Sequence, residues 1–343
     1  MNTRYISGEI DTVVGKVPLV STEWNRSDKW NAFKVRCSIG RMNYTVKPGL
    51  YATGNPDENS DIFVSANYKL SFDHLRKALH QMNAWILVLD TKGINVWCAA
   101  GKGTFGSNEL INKIFSLNIQ KLVNHRKIIV PQLGATGVAA HKVKIFSGFR
   151  VIYGPVRSND IKNFITAGYR TTPEMRKVKF PLNERMKLIP VEIVNGKYYL
   201  ALVHALFFIL SGFNSKGYSV DLACANGGRS VLNLLVAYLS GCMLTPIFLP
   251  FIPFARFSMK GLFTGWITAL ILILYGFMGK SVFEIISWLL ITGGISSFLA
   301  MNFTGSSTFT SLSGVKKEMK TALPMQIAFA GTGFTGWVIT RFI

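Results

Sequence analysis

The feature that most constrains this chain is a series of five long hydrophobic runs in its C-terminal part. The runs cover residues 198–213, 231–252, 261–278, 282–301 and 324–343. A helix needs about 20 mainly apolar residues to cross the hydrocarbon core of a bilayer, and most of these runs approach that length. We therefore expect an all-α membrane domain of five transmembrane helices. Buried core helices of a large soluble protein are the alternative interpretation.

Charge divides the chain in the same way. Residues 1–197 contain 29 of the 38 Lys and Arg residues and 14 of the 17 Asp and Glu residues, which gives this part a net charge of +15. We expect a cytoplasmic α/β domain over residues 1–180, a linker over 181–197 and the transmembrane domain over 198–343. Such a basic domain is attracted to anionic lipid or to an acidic partner. Its basic residues form no nucleic-acid recognition motif, so we predict no nucleic-acid partner.

The orientation of the predicted spans follows from the N-terminus and from the loop charges. The first residues contain no apolar signal segment, so we expect the N-terminal domain to stay in the cytoplasm. With five spans, the loops that then face inward carry five Lys and Arg residues, against three in the outward loops. This predicts a multi-pass protein of the bacterial or archaeal cytoplasmic (inner) membrane. Among charged residues only Glu284 lies well inside a run, which argues against a transport pathway.

Strand and helix patterns alternate in the predicted α/β domain. Four apolar segments predict strands, namely IFVSAN (62–67), AWILVLD (84–90), KIIVPQ (127–132) and RVIYGPV (150–156). The segments between and after them include amphipathic helix patterns such as SFDHLRKALHQM and NELINKIFSLN. Continuously apolar strands favour a parallel sheet with helices on both faces, a Rossmann-like α/β fold. The preceding segment YTVKPGLYATG (44–54) predicts a β-hairpin or an edge element.

Ligands of such sheets bind at the carboxyl ends of the strands, where loops and helix starts converge. The predicted ends hold Asn67, residues 90–102, Pro131, Gln132, Leu133, Gly134, Gly154, Pro155, Val156 and Arg157. Their glycine, amide and proline residues indicate a large ligand. No G-x-G-x-x-G motif opens the first helix, which disfavours a dinucleotide site.

The chain has four cysteines, Cys37, Cys98, Cys224 and Cys242, and none of them is in a C-x-x-C spacing. We therefore expect no iron–sulfur cluster and no structural zinc site in this chain. Cys98 differs from the others because it lies in GINVWCAAGKGTF, at the predicted binding edge.

The surroundings of Cys98 favour a reactive thiol. If residues 96–101 form a short helix, Lys102 lies on the same face as Cys98, and the helix start adds partial positive charge. Both favour the thiolate form of a cysteine. The small residues Ala99, Ala100 and Gly101 leave room for a flat ligand. A buried structural cysteine is the alternative.

Several segments of the α/β domain carry a family resemblance. They are ANYKLSFDHLRK, AWILVLDTKGINVWCAAGKGTFG, PQLGATGVAAHK and FRVIYGPVRSNDI, and they resemble the corrinoid-binding domain of the corrinoid iron–sulfur protein of the acetyl-CoA pathway. The combination of NVWCAAGK with five predicted spans resembles the mercury-methylating corrinoid proteins instead, from about Tyr44 through the spans.

The resemblance implies a cobalamin or other corrinoid cofactor, bound base-off. In that family the cysteine thiolate replaces the nucleotide base as lower cobalt ligand, which implies Cys98 as metal ligand with Lys102 beside it. A thiolate is a soft, electron-rich donor for cobalt. The implied corrin contacts are Asn95, Val96, Trp97, Cys98, Ala99, Ala100, Gly101 and Lys102. The implied slot for the displaced tail is formed by Gln132, Leu133, Gly134, Ala135, Thr136, Gly137 and Val138 with Tyr153, Gly154, Pro155, Val156 and Arg157, and Asn67 ends the neighbouring strand.

The resemblance also implies an activity, corrinoid-dependent methyl transfer from methyl-cobalt to Hg(II), giving methylmercury under anaerobic conditions. A dicluster 4Fe-4S ferredoxin-like partner would reduce the cobalt, a methyl-tetrahydrofolate-linked donor would supply the methyl group, and partner cysteines would deliver mercury. Two alternatives remain open, a membrane-bound corrinoid methyl carrier of one-carbon and acetyl-CoA metabolism, and a nucleotide-sensing membrane module.

Overall fold

A computed structural model describes residues 5–279, 281–306 and 312–343 of the chain. The chain divides into two compact units, which are Met1–Val35 with Ile39–Lys179 and Arg36–Ser38 with Phe180–Ile343. We call the first the α/β unit and the second the helical unit, and describe each by itself.

The α/β unit contains seven strands and eight α-helices among its described residues. In chain order they are β1 (Ile6–Thr12), β2 (Gly15–Val20), α1 (Arg26–Arg36), β3 (Gly49–Thr53), β4 (Ile62–Ala66), α2 (Lys69–Ala78), β5 (Ala84–Leu89), α3 (Val96–Lys102), α4 (Ser107–Ser116), α5 (Ile119–Leu122), β6 (Lys127–Val130), α6 (Ala140–Ser147), β7 (Arg150–Tyr153), α7 (Ile161–Thr166) and α8 (Pro173–Arg176). The sheet order is β1-β2-β3-β5-β4-β6-β7.

The four predicted strands are neighbours in this sheet. β4 is parallel to β5 and to β6, and β6 is parallel to β7. Ala66 pairs with Leu89, and Val130 pairs with Tyr153, so the carboxyl ends of these strands lie along one edge. This confirms an α/β unit whose central strands are parallel.

The complete sheet is mixed, whereas the sequence predicted a parallel sheet preceded by a hairpin or edge element. β3 is antiparallel to β5 and parallel to β2, and β1 is antiparallel to β2. The segment 44–54, predicted as a hairpin or edge element, supplies β3, which is an interior strand. It is interior because the first 20 residues add β1 and β2 outside it.

Two apolar cores cover the two faces of the sheet. Alternate residues of β4 point to opposite faces, so Ile62 and Val64 join one core and Phe63 joins the other. Helices α3, α4 and α6 contribute to the first core, and α2 and α7 contribute to the second. The predicted helices on both faces are therefore present.

A buried ionic cluster ties α1 to α2 in the α/β unit. Arg76 donates to Asp73 and to Asp28 at 2.8 Å each, and its side chain is fully buried. Lys69 lies 2.7 Å from Asp73 and 3.4 Å from Asp28. The cluster fixes α1 against α2, because Asp28 of α1 pairs with both Lys69 and Arg76 of α2.

The helical unit consists mainly of long helices. They are α9 (Leu182–Met186), α10 (Ile189–Leu210), α11 (Val220–Leu239), α12 (Thr245–Phe248), α13 (Phe257–Leu274), α14 (Val282–Asn302) and α15 (Leu312–Ile339), with a short pairing of β8 (Phe213–Asn214) and β9 (Gly217–Tyr218). Residues 181–197, predicted as a linker, hold α9 and the first turns of α10.

Four helical stretches of the described chain are long and apolar enough to cross a membrane. They are Leu182–Leu210, Val220–Phe248, Phe257–Leu274 and Val282–Asn302. The fifth predicted run lies in α15 and is not among them, since residues such as Gln326 and Thr332 lower its hydropathy. The helical region with four candidate spans is therefore confirmed, and a fifth span is not.

Candidate functional site

The helix that carries Cys98 follows β5 through a turn of unusual backbone conformation. Lys92 and Gly93 both have positive φ angles, 57° and 72°. A side chain at Gly93 would also lie 2.9 Å from the Thr45 side chain. The turn between β5 and α3 therefore requires glycine at this position.

Asn67, at the end of β4, holds this turn. Its Oδ1 accepts hydrogen bonds from the backbone N–H groups of Thr91 at 3.1 Å and Gly93 at 2.9 Å. Its Nδ2 donates to Asp90 Oδ1 at 3.3 Å. The buried amide, predicted as a ligand contact, thus finds its partners within the protein and positions the start of α3.

Asp90 is fixed from the other side of the turn. Lys92 donates to its Oδ2 at 2.7 Å, and this hydrogen bond holds the pKa of the Asp90 carboxyl below its ordinary value. The backbone N–H of Asp90 donates to Glu109 Oε1 at 3.0 Å. The carboxylate therefore stays ionised near neutral pH and stabilises the turn between β5 and α3.

Cys98 lies in the first turn of α3. Asn95 is the N-cap, and its side chain accepts a hydrogen bond from the Cys98 backbone N–H at 2.9 Å. Gly103 ends the helix with φ of 83°. The thiol of Cys98 is exposed, so the structure places it on the surface rather than in the core, unlike a buried structural cysteine.

The outward side of α3 is open around this thiol. Trp97 is 39% exposed, and Gly101 and Lys102 are exposed one turn after the thiol. A Cβ added at Gly101 would meet no atom within 4 Å. The surface one turn after the thiol is therefore open at Gly101.

The inward side of α3 packs on the loop after β6. Ala99 and Ala100 are buried, so of the three small residues only Gly101 faces the open side. A Cβ at Gly137 would lie 2.1 Å from the Phe105 carbonyl oxygen and 3.0 Å from Ala100 Cα. The small residues of helix and loop thus serve their mutual contact.

The loop 132–138 and the end of β7 are also joined to each other. Tyr153 Oη donates to the Val138 carbonyl at 2.5 Å, and the Gly154 N–H donates to the Val130 carbonyl at 2.8 Å. Gly134, Val138, Gly154 and Pro155 are buried, while the remaining predicted residues keep exposed surface. These partly exposed residues are Gln132, Leu133, Ala135, Thr136, Gly137, Tyr153, Val156 and Arg157.

Sequence reasoning missed Ser107, and it gave Thr91 and Gly93 of the predicted segment 90–102 no separate role in building this edge. Ser107 Oγ accepts a hydrogen bond from the Ala139 N–H at 2.8 Å and so ties α4 to the loop after β6. The signals were a Thr-Lys-Gly turn directly after a buried strand and a serine at a helix start. Both are common turn and cap patterns, so neither indicates a site by itself.

The segment with this edge matches a known family. Residues 40–165 match the model of the CO dehydrogenase/acetyl-CoA synthase delta subunit, CdhD. The chain is 30% identical over 122 residues to the acetyl-CoA decarbonylase/synthase complex subunit gamma of Methanopyrus kandleri, covering 35% of this chain and 26% of the relative. The same subunit of Archaeoglobus fulgidus gives the same identity and coverage.

A third relative is the corrinoid/iron-sulfur protein large subunit of Moorella thermoacetica, 27% identical over 124 residues, with 36% of this chain and 27% of the relative covered. The chain thus spans about a quarter of the length of these relatives. The match supports the predicted resemblance to the acetyl-CoA pathway proteins, and these relatives lend no support to mercury as acceptor. Over residues 40–165 the chain is similar to the CdhD family.

Proposed function

We propose that this chain is a membrane-attached corrinoid protein that carries a methyl group on cobalt, with the Cys98 thiolate as lower axial ligand. The exposed thiol of Cys98 at the strand-end edge is the observation that carries the proposal. It lies inside the segment similar to the acetyl-CoA pathway proteins. One of these relatives is named a corrinoid/iron-sulfur protein.

The donor set fits a cobalt ion that brings its equatorial ligands with it. In the part of the chain that the structure describes, no group of three or more His, Cys, Asp or Glu side chains is placed to hold a metal ion. Cys98 therefore offers a single soft donor. The macrocycle would lie on the outward side of α3, where a Cβ added at Gly101 meets no atom within 4 Å.

The chain's own residues then have separable roles. When bound, the corrinoid would supply a cobalt ion that accepts and releases a methyl group. Asn95 would hold the Cys98 backbone in the first helical turn, and Lys102 would place a positive charge in the last turn of the same helix. Trp97 would lie beside the macrocycle. The exposed parts of loop 132–138 and of residues 153–157 would receive the displaced nucleotide tail.

The four apolar helical stretches would attach the protein to the cytoplasmic membrane, with the basic α/β unit on the cytoplasmic side. The reductant would be a dicluster 4Fe-4S ferredoxin-like protein, since the free cysteines of this chain stand in no cluster spacing. A methyl-tetrahydrofolate-linked donor would supply the methyl group.

The similar proteins favour a methyl carrier of acetyl-CoA metabolism. Inorganic Hg(II) is the second candidate acceptor, and two features that occur together in this chain favour it. The motif NVWCAAGK presents an exposed thiol, and a helical region with four candidate spans follows the matched segment. Mercury would then be delivered by cysteines of the partner.

Anaerobic purification after corrinoid supplementation tests the cofactor. We expect about one cobalt per chain, and a visible spectrum that changes in Cys98→Ser. Cys224→Ser, which alters another exposed cysteine, should leave the spectrum unchanged. A colourless, cobalt-free wild-type protein would contradict the proposal and leave the nucleotide-sensing alternative.

Cells with and without the gene distinguish the acceptors. Methylmercury formation that requires the gene and disappears with Cys98→Ala would assign Hg(II) as acceptor. If cells with and without the gene form the same amount of methylmercury and the purified protein contains cobalt, the carrier role is assigned.

A further inference from the structure

An aromatic pair lies exposed on α1, far along the chain from the Cys98 segment. Trp30 and Phe33 are 59% and 53% exposed. Their rings stack with centroids 5.6 Å apart and an interplanar angle of 20°. Asp28, Ala32 and Val35 form the buried side of the same helix. The helix therefore presents large apolar rings to its surroundings.

The apolar surface continues past the helix end. The Ile39 N–H donates to the Lys34 carbonyl at 2.9 Å, which folds Ile39 back onto the last turn. Ile39 is 58% exposed. Grouped exposed apolar side chains of this size mark an interaction surface more often than scattered ones do.

Positive charge surrounds the rings. By the helical period, Arg26, Lys29 and Lys34 lie on the same side as the aromatic pair. Asp28 is the single acidic residue of α1 and is paired inward with Arg76 and Lys69. Among the described residues, no ion pair involves the three outward cations. Their charge is therefore not neutralised within the described chain.

We infer that this aromatic-basic surface, formed by Arg26, Lys29, Trp30, Phe33, Lys34 and Ile39, binds the headgroup layer of an anionic membrane. Aromatic rings favour the membrane–water interface, and flanking cations attract anionic lipid. The inference rests on the membrane attachment proposed above, because four apolar stretches would keep lipid at a high local concentration. An acidic protein partner is the competing occupant, and the test separates the two.

Quenching of Trp30 by lipid tests the inference on the full-length protein. The protein is placed in nanodiscs of phosphatidylcholine brominated on the acyl chains, with and without phosphatidylglycerol. Comparing wild type with Trp30→Phe isolates the contribution of this one tryptophan. We expect a Trp30 contribution to quenching in the anionic nanodiscs, and its loss in the double variant Lys29→Glu/Lys34→Glu.

A matched control is Lys121→Glu/Lys162→Glu, which makes the same charge change at two exposed lysines outside the surface. It should retain the Trp30 quenching. If Trp30→Phe leaves quenching unchanged in anionic nanodiscs, the inference is wrong and the surface is left to a protein partner. Alkaline extraction of membranes distinguishes lipid binding by this surface from membrane attachment by the apolar stretches. Release of the chain by alkali would contradict the attachment itself.

Discussion

In the α/β unit, every buried charged side chain of α2 has an ion-pair partner. The described part of the helical unit, in contrast, buries polar side-chain atoms that have no hydrogen-bond partner. Among the described residues, five buried side-chain atoms lack a hydrogen-bond partner, and all lie in the helical unit. They are Arg185 Nε, Asn233 Oδ1, Thr292 Oγ1, Gln326 Oε1 and Trp337 Nε1.

The difference shows two ways of fixing helices. In the α/β unit, charge pairs and hydrogen bonds position α1, α2 and the turn before α3. In the helical unit, no such charge cluster is seen among the described residues, and close contact of small residues adds to single hydrogen bonds such as that from Ser296 Oγ to the Gly261 carbonyl. A Cβ at Gly261 would lie 2.5 Å from the Ser296 carbonyl oxygen, and one at Gly265 would lie 2.8 Å from Ser296 Cβ.

The largest stability loss is expected when the ionic cluster is opened. Arg76→Leu leaves Asp28 and Asp73 buried with Lys69 alone, which should lower the free energy of unfolding of the α/β unit by about 3–5 kcal/mol. Hydrogen exchange of the slowest amides in β4 and β5 measures this. Lys92→Gln is a control, because it removes the exposed ion pair between Lys92 and Asp90 and should change the hydrogen exchange far less. Equal effects of both variants would break the comparison.

Gly137→Ala should have the next largest effect, and it acts on the site. Its Cβ would lie 2.1 Å from a backbone oxygen, so α3 or the loop must shift, at a cost of about 1–3 kcal/mol. We expect weaker corrinoid retention, measured as cobalt per chain. Gly8→Ala, in β1 outside the site, is the matched control, because a Cβ added there meets no atom within 4 Å. Normal cobalt content in Gly137→Ala would show that this contact does not position the thiol.

Gly265→Ala probes the packing of the helical unit. The added methyl group meets Ser296 at 2.8 Å, and we expect a loss of about 1–2 kcal/mol through overpacking. Gly228→Ala has open space around it and should not destabilise. Thermal unfolding in detergent compares the two variants. Equal melting temperatures would mean that small-residue contact does not hold these helices.

Asn95→Ala removes the N-cap of α3 and should cost about 1 kcal/mol locally. Faster hydrogen exchange of the α3 amides measures the loss. Asn95→Asp retains an acceptor for the Cys98 N–H and should restore the protection. Unchanged exchange in Asn95→Ala would contradict the positioning role.

The smallest expected effect is on the stability of the α/β unit at acidic pH. Burial alone would raise the pKa of the Asp28 carboxyl, but the hydrogen bond and charge of Arg76 outweigh burial, so this pKa lies below its ordinary value. The contribution of Asp28 is therefore complete above the ordinary Asp pKa of about 4 and is lost as the pH falls through the folded-state pKa. Stability of the α/β unit measured below about pH 4 should fall more steeply in wild type than in Asp28→Asn.

Much of the α/β unit could be predicted from hydrophobic patterning. The predicted strands 62–67 and 84–90 correspond to β4 and β5, and the helix pattern 108–118 corresponds to α4. Long apolar strands and clear amphipathic stripes carry this information in a single segment. The strand-end position of Cys98 followed from the same alternation.

The rest depended on contacts between distant segments. The strand that places β3 in the sheet interior is β2. Only Val17 and Val20 of β2 are buried, so its apolar pattern is too short to predict a strand. Likewise, nothing in the sequence around Asn67 indicated that its partners lie 23 to 26 residues later. In α15, glycine and polar residues lower the hydropathy that a count of apolar residues had suggested for a fifth span.

The sulfur–cobalt bond is the central claim, and X-ray absorption at the cobalt edge of the anaerobically purified protein tests it most directly. We expect one sulfur scatterer at bonding distance in wild type, replaced by a lighter atom in Cys98→Ser at unchanged cobalt content. A wild-type spectrum with only nitrogen or oxygen neighbours would contradict the account.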